Sequence, residues 1–111
     1  MLSREELLSK RPKPVEVSLS GGTSVFVRSF DGLEREQFEQ QCRGYSEDPT
    51  QYSIRALLTV YCVCTQDGIR LFTDADLPEV SKMDWVDLDA IYKQAAEFNK
   101  LGDTVAAGIK N

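Results

Sequence analysis

Histidine is absent from the sequence of 111 residues, and cysteine occurs only three times. Serine and cysteine hydrolases usually rely on an imidazole base, and most zinc sites use at least one histidine. The composition therefore argues against these chemistries. We expect a protein that is not an enzyme and that has no catalytic residue, metal site or cofactor.

Long apolar runs are also missing, and no stretch approaches the roughly 20 apolar residues that span a bilayer. The first ten residues, MLSREELLSK, place charges where a secretory signal has its apolar core. The cysteines Cys42, Cys62 and Cys64 are odd in number and lie in apolar or helical patterns, which argues against a disulfide framework. We expect a cytoplasmic protein without a membrane segment.

Basic residues are outnumbered, with 13 Lys and Arg against 18 Asp and Glu, so the formal charge is -5. The electric field of a negatively charged protein repels phosphate backbones, and we therefore expect no nucleic-acid partner. The basic residues near the N-terminus are mixed with acids and lack aromatic neighbours that could stack on bases. We interpret them as a solvated end: Arg4, Lys10, Arg11 and Lys13.

The remaining composition, 41% hydrophobic and 28% charged, is typical of one folded domain. The sequence predicts an N-terminal helix or arm over residues 1–13, a single globular domain over 14–102 and a loosely ordered tail over 103–111. Ser3 and Glu6 form a capping-box pattern that begins a helix over 4–10, and Pro12 and Pro14 follow it.

Alternating residues from Val15 to Leu19 and from Ser24 to Phe30 predict a β-hairpin around Gly21 and Gly22. Its apolar face needs helices to cover it. Asp31 and Glu34 predict the start of a helix over 32–43, whose apolar stripe consists of Leu33, Phe38 and Cys42 and whose other face is polar and solvated.

Residues 44–49 are rich in turn formers, and residues 51–64 predict a central buried helix. An extended piece over 69–72 and a short helix after Thr73 come next. The last helix begins near Asp84, and Gly102 is placed to end it. The expected fold is α+β and predominantly helical, with an N-terminal β-hairpin packed on a bundle of about four helices.

Carboxylates are densest around Asp74, Asp76 and Glu79, where an EF-hand loop would need glycine at its sixth position and glutamate at its twelfth. Those positions hold Glu79 and Trp85, so we interpret the acids as helix caps. Cys62 and Cys64, two residues apart on the predicted helix, are interpreted as small apolar fillers.

Three residues are candidates for partner binding: Leu7, Leu8 and Trp85. The short first helix is not stable in isolation, so Leu7 and Leu8 must pack on the globular domain or on a partner. Trp85 is either core packing or an exposed binding residue, and burial statistics favour the core.

The segment Asp67-Gly68-Ile69-Arg70-Leu71-Phe72-Thr73-Asp74-Ala75-Asp76-Leu77 and the helix through Leu88 to Asn99 resemble the tail assembly chaperones of long-tailed bacteriophages and prophages. That family has a D-G-x-R-L-F-[TS]-x-x-D piece before an A-x-x-x-N type last helix. The strand Val25–Arg28, followed by Leu33–Glu36, also looks like the family's early strand and helix. The similarity extends over about residues 15–101.

The resemblance implies a protein that coats the tape measure protein, keeps it soluble and recruits tail tube subunits, with possible self-association. It implies a protein of the host cytoplasm that is absent from the mature virion, often accompanied by a longer form made by programmed frameshifting. Lys110-Asn111 is compatible with a slippery codon pair, which the gene sequence would test. The alternatives are a structural or connector subunit of the tail, and a small acidic regulatory protein-binding domain.

Overall fold

The computed structural model of the chain describes residues 1–47 and 53–101. Within these residues the fold is α+β with the hairpin packed on helices, as the sequence predicts. The elements are α1 (Arg4–Ser9), β1 (Val15–Ser18), β2 (Ser24–Val27), α2 (Gly32–Glu47), α3 (Ile54–Cys62), β3 (Val63–Cys64), α4 (Leu77–Val80) and α5 (Trp85–Phe98), with 3-10 turns at Ser20–Gly22 and Asp74–Asp76.

The β-hairpin is confirmed. Val15 pairs with Val27 and Val17 with Val25 in antiparallel register, and this apolar face packs against the helices. Gly21 and Gly22 have φ angles of 72° and 74° in the turn, a region that glycine enters without a steric penalty. The turn is tied to the body because both the amide and the hydroxyl of Ser20 donate to the carboxylate of Asp87 on α5, at 2.9 and 3.1 Å.

A third strand completes the sheet, in the order β1-β2-β3, and the prediction of one helix over 51–64 was wrong at its end. The helix α3 ends at Cys62, and Val63 and Cys64 then pair with Val27 and Phe26. Every residue from Ala56 to Cys64 is buried. A continuous apolar run has the same pattern in a buried helix and a buried strand, so periodicity could not mark the change.

The helix α2 differs from its prediction in length and in its buried face. It continues through Gly44 to Glu47, because one glycine costs a helix only about 1 kcal/mol and does not end it. Phe38 and Cys42 are buried as predicted, but Leu33 is 67% exposed. Leu33 precedes Phe38 by five residues, which rotates it about 140° away from the buried stripe.

Glu34 lies on the buried side of α2 instead, although the sequence analysis predicted that the helix residues outside the stripe of Leu33, Phe38 and Cys42 are solvated. It pairs with Arg28 at the end of β2, and the two side chains are only 14% and 12% exposed. The carboxylate of Glu34 also accepts from the amide of Asp31, which confirms the predicted capping box. The acid at the helix start thus joins α2 to the sheet.

The core lies between α3, α5, α2 and the sheet. Three rings pack together in it, with centroids of Phe30, Phe38 and Tyr61 between 5.4 and 6.0 Å apart. The hydroxyl of Tyr61 donates to Gln41 at 2.7 Å, so the ring satisfies its polar end while its body remains buried.

The helix α5 ends at Phe98 in a Schellman motif, and the prediction that Gly102 ends it was wrong. The amide of Leu101 donates to the carbonyl of Ala96 at 2.9 Å, and that of Lys100 donates to Glu97 at 3.2 Å. This geometry requires a left-handed residue, and Lys100 supplies it with a φ of 55°. Leu101 can then fold back into the core, where it is fully buried. Gly102 itself and the predicted tail over 103–111 lie outside the described residues.

The side-chain amide of Asn99 connects α5 to the hairpin. Its oxygen accepts from the amide of Phe30 at 2.7 Å, and its nitrogen donates to the carbonyls of Arg28 and Ala95 at 3.3 and 3.0 Å. The backbone carbonyl of Asn99 also accepts from Arg35 on α2 at 3.1 Å. One residue therefore joins β2, α2 and α5.

Replacing Lys100 with glycine is expected to stabilise the fold by about 1 kcal/mol, because a side chain at positive φ is strained and glycine is not. Urea unfolding followed by circular dichroism measures the change. The matched control is Glu97→Gly in the last turn of α5, where an ordinary helical residue is replaced and a loss of about 1 kcal/mol is expected. Equal losses in both variants would contradict the assignment of Lys100 as the left-handed cap.

Replacing Asn99 with alanine is expected to destabilise the fold by roughly 2–4 kcal/mol, because the amide of Phe30 and the carbonyl of Arg28 both lose their partner. The same unfolding experiment measures the loss. Gln94→Ala, an alanine substitution on the same helix, should change the free energy of unfolding by less than about 0.5 kcal/mol. Similar small effects in both variants would show that Asn99 does not hold the hairpin.

Candidate functional site

Two open grooves meet at Met83, in the loop between α4 and α5. Each has a volume of about 330 Å³. One is lined by Ser53, Arg55, Ser81, Met83, Trp85 and Leu88. The other is lined by Phe72, Asp76, Glu79, Val80 and Met83. We call the two grooves together the Met83 surface.

The loop that presents Met83 is held by short-range hydrogen bonds. Pro78 occupies the first turn of α4, where its missing amide proton costs nothing. The hydroxyl of Ser81 donates to the carbonyl of Leu77 at 2.8 Å, and the amide of Met83 donates to that of Val80 at 3.0 Å. The chain turns directly into α5, whose N-cap is Asp84 as predicted. Met83 is therefore fixed by its backbone, while its side chain remains adaptable.

Trp85 is 65% exposed, so the interpretation of this residue as core packing was wrong. Its spacing places it on the same side of α5 as the buried Leu88, and that side faces α3. At the level of the first turn, however, the neighbour on α3 is Arg55, a charged residue that stays near solvent. The indole lies 5.7 Å from the guanidinium carbon, and it packs on a cation at the edge of the core.

Arg55 is held in place from a second side. Its Nε lies 3.0 Å from Asp89 Oδ1, and its guanidinium stacks 5.0 Å from the ring of Tyr92. Lys93 approaches the other oxygen of Asp89 at 3.1 Å. The hydrogen bonds from Arg55 and then Lys93 hold the pKa of Asp89 below its ordinary value. The position of Trp85 thus depends on a partly exposed ion pair between α3 and α5.

Two of the acids around the grooves, Asp76 and Asp84, act as helix caps, so the interpretation of the acids as caps holds for part of the cluster. Asp76 accepts from the amide of Thr73 at 2.8 Å in a capping box, and Asp84 accepts from the amide of Asp87 at 3.4 Å. Asp74 pairs with Arg70 at 3.3 Å. Among residues 1–47 and 53–101, no cluster of three Cys, Asp or Glu side chains is arranged to hold a metal ion.

The segment over residues 67–77 is built around Gly68 and Arg70. Gly68 has a φ of 88°, and the hydroxyl of Thr65 accepts from the amides on both sides of it. Arg70 donates to the carbonyl of Val60 at 3.2 Å and lies 5.1 Å from the ring of Tyr61. This segment therefore ties the end of α3 to the 3-10 turn that leads into α4, and it positions Phe72 and Asp76 in the second groove.

The cysteines do not form a reactive pair. Cys62 ends α3 while Cys64 lies in β3, so the prediction that both lie on one helix was wrong. Both are buried free thiols. Burial raises the pKa of Cys42 and Cys62 to about 12. These thiols are therefore protonated at neutral pH, and the interpretation of Cys62 and Cys64 as buried apolar fillers agrees with their positions.

The other candidate residues, Leu7 and Leu8, lie on α1, which has its predicted capping box but buries no residue. The two leucines are 62% and 68% exposed. They do not join Trp85 in either groove lining. The α1 leucines and the Met83 surface are thus separate apolar features. The sequence analysis missed Met83, although its position between two helix-start signals could have indicated an exposed loop.

No helix in the described part of the chain is both long enough and apolar enough to cross a membrane. Comparison with known proteins finds no matching family model, no matching curated protein and no matching solved structure.

Acidification is expected to remove the contribution of Asp89 to stability. Because the folded-state pKa of Asp89 is lowered, that contribution is present above the ordinary carboxyl pKa of about 3.9 and is lost as the pH falls through the folded-state value. The Asp89→Asn variant should be less stable than the unchanged chain at about pH 7, and this gap should be smaller at about pH 2. Urea midpoints at both pH values measure it, and a gap independent of pH would contradict the ion pair.

Proposed function

We propose that this chain is a phage tail assembly chaperone that binds the tape measure protein, keeps it soluble and recruits tail tube subunits in the host cytoplasm. In this proposal the protein acts by reversible binding without catalytic chemistry and leaves the tail before the virion is complete. The observation that best supports a binding role is the Met83 surface, where Trp85 is exposed beside two grooves.

The energy available at this surface is considerable. An indole buries roughly 150–250 Å² when it is covered, at about 25 cal/mol per Å². Covering the exposed part of Trp85 therefore contributes on the order of 3 kcal/mol. Trp and Arg are enriched at the centres of protein interfaces, and Met adapts to different partners. The surface holds one residue of each kind: Trp85, Arg55 and Met83.

The residues that suggest the chaperone family also contribute to this surface. The segment over 67–77 provides Phe72 and Asp76, and the helix α5 provides Leu88. The A-x-x-x-N pattern corresponds to Ala95, which is fully buried, and to Asn99, which fixes the other end of α5. The D-G-x-R-L-F pattern thus contributes to the Met83 surface, which supports the proposal, whereas Ala95 and Asn99 hold the opposite end of α5.

Co-expression with the tape measure protein from the same gene cluster tests the function. We expect the soluble fraction of the tape measure protein to rise and a complex to be recovered. Trp85→Ala should weaken the affinity of the complex by at least roughly tenfold, since about 1.4 kcal/mol corresponds to a factor of ten and covering the exposed indole contributes more than that. Leu33→Ala is the matched control, because Leu33 is equally exposed and lies on α2, whose start meets the opposite end of α5 through Arg35 and Asn99.

The proposal fails if the tape measure protein is equally soluble with and without this chain and no complex is recovered. A complex that Trp85→Ala and Leu33→Ala leave equally intact would place binding elsewhere on the chain. Mass spectrometry of purified particles separates the chaperone from a structural or connector subunit, because only the latter remains in the mature tail.

A further inference from the structure

The net charge of the chain is concentrated beside the Met83 surface. Residues 73–89 contain six of the 18 acidic residues and one of the 13 basic residues, so this segment has a charge of -5. The other acidic and basic residues of the chain balance at twelve each. The segment forms the 3-10 turn, α4, the Met83 loop and the start of α5.

Most of these acids form no ion pair with another described residue. Among the described residues, the ion pairs of the segment use only Asp74 and Asp89. Asp76 and Glu79 line the second groove directly, and Asp84 lies between Met83 and Trp85 in the chain. The grooves are therefore bordered by carboxylates that form no ion pair within the described chain.

We propose that the Met83 surface takes an amphipathic helix of a partner protein, with bulky apolar side chains in the grooves and Lys or Arg over Asp76, Glu79 and Asp84. This inference rests on the proposed function and specifies the kind of segment that is recognised. Apolar burial against Met83 and Trp85 supplies affinity, and the carboxylates select helices whose flanks are basic.

A second copy of this chain is a weaker occupant. The exposed helix α1 has leucines and basic neighbours, but it is six residues long and therefore only about 9 Å in length. Stable protein interfaces bury about 1,200–2,000 Å² in total, which two leucines do not approach. A longer helix in a partner can fill both grooves at once.

Trp85 provides a direct test, because it is the only tryptophan of the chain and lies in the surface itself. The probes are synthetic helical peptides of about 18 residues that contain no Trp or Tyr. One has an apolar face flanked by Lys and Arg, and the other has the same apolar face flanked by Glu. The basic peptide should shift the emission of Trp85 to shorter wavelength in a saturable way and bind at least about tenfold more tightly than the acidic one.

Charge variants separate a local effect from net charge. Glu79→Lys should weaken binding of the basic peptide by roughly fivefold, and added salt should weaken binding to the unchanged chain. Glu97→Lys makes the same change of charge on the exposed last turn of α5, about 18 Å along the helix from Trp85, and should weaken binding by less than about twofold. Circular dichroism of both variants verifies that the helices are intact.

The inference is overturned if both peptides bind equally, if neither binds, or if a labelled basic peptide binds while the emission of Trp85 stays constant. It is also overturned if Trp85 shifts with protein concentration alone and Leu7→Ser abolishes that shift, since a second copy would then occupy the grooves. Failure with the peptides alongside a recovered tape measure complex would reject this recognition mode and leave the proposed function standing.

Discussion

The hydrogen bonds of Asn99 hold together parts of the fold that are distant in the sequence. Its side chain forms hydrogen bonds with the backbone of Arg28 and Phe30, just after β2. Its backbone carbonyl accepts from Arg35 on α2. These backbone groups are partly buried, so without Asn99 they would lose a hydrogen bond in a region with little water. The left-handed Lys100 follows immediately and directs Leu101 into the core. The end of α5 is thus fixed in position relative to the sheet.

The N-terminal end of α5 is held mainly by polar contacts of three aspartates. Asp84 caps the helix, Asp87 holds the hairpin turn through Ser20, and Asp89 holds Arg55. These polar contacts fix the first turn of the helix without burying Trp85. The helix is therefore anchored at both ends, and at its N-terminal end Leu88 is buried while Trp85 stays at the surface. The indole of Trp85 is thus exposed on a helix turn whose backbone is already fixed, so a partner that covers it does not have to order that backbone.

Acidic residues serve two purposes in the segment from Thr73 to Asp89. Within the fold they satisfy free amides at two helix starts, where Asp76 accepts from the amide of Thr73 and Asp84 accepts from the amide of Asp87. At the surface their summed charge borders the grooves at Met83. The same residues can serve both roles, because a carboxylate that accepts an amide proton keeps its full negative charge. Capping therefore does not remove the electrostatic field that a partner would meet.

The sequence by itself determined the local features: the capping boxes at Ser3 and Asp31, the hairpin around Gly21, and the start of α5 at Asp84. Each of these depends on a few neighbouring residues, and short-range patterns record them. Only the tertiary structure decided that Val63 leaves the helix, that Glu34 faces Arg28, and that Trp85 is exposed. Those outcomes depend on which residue of another element lies opposite, and no spacing within one element contains that information.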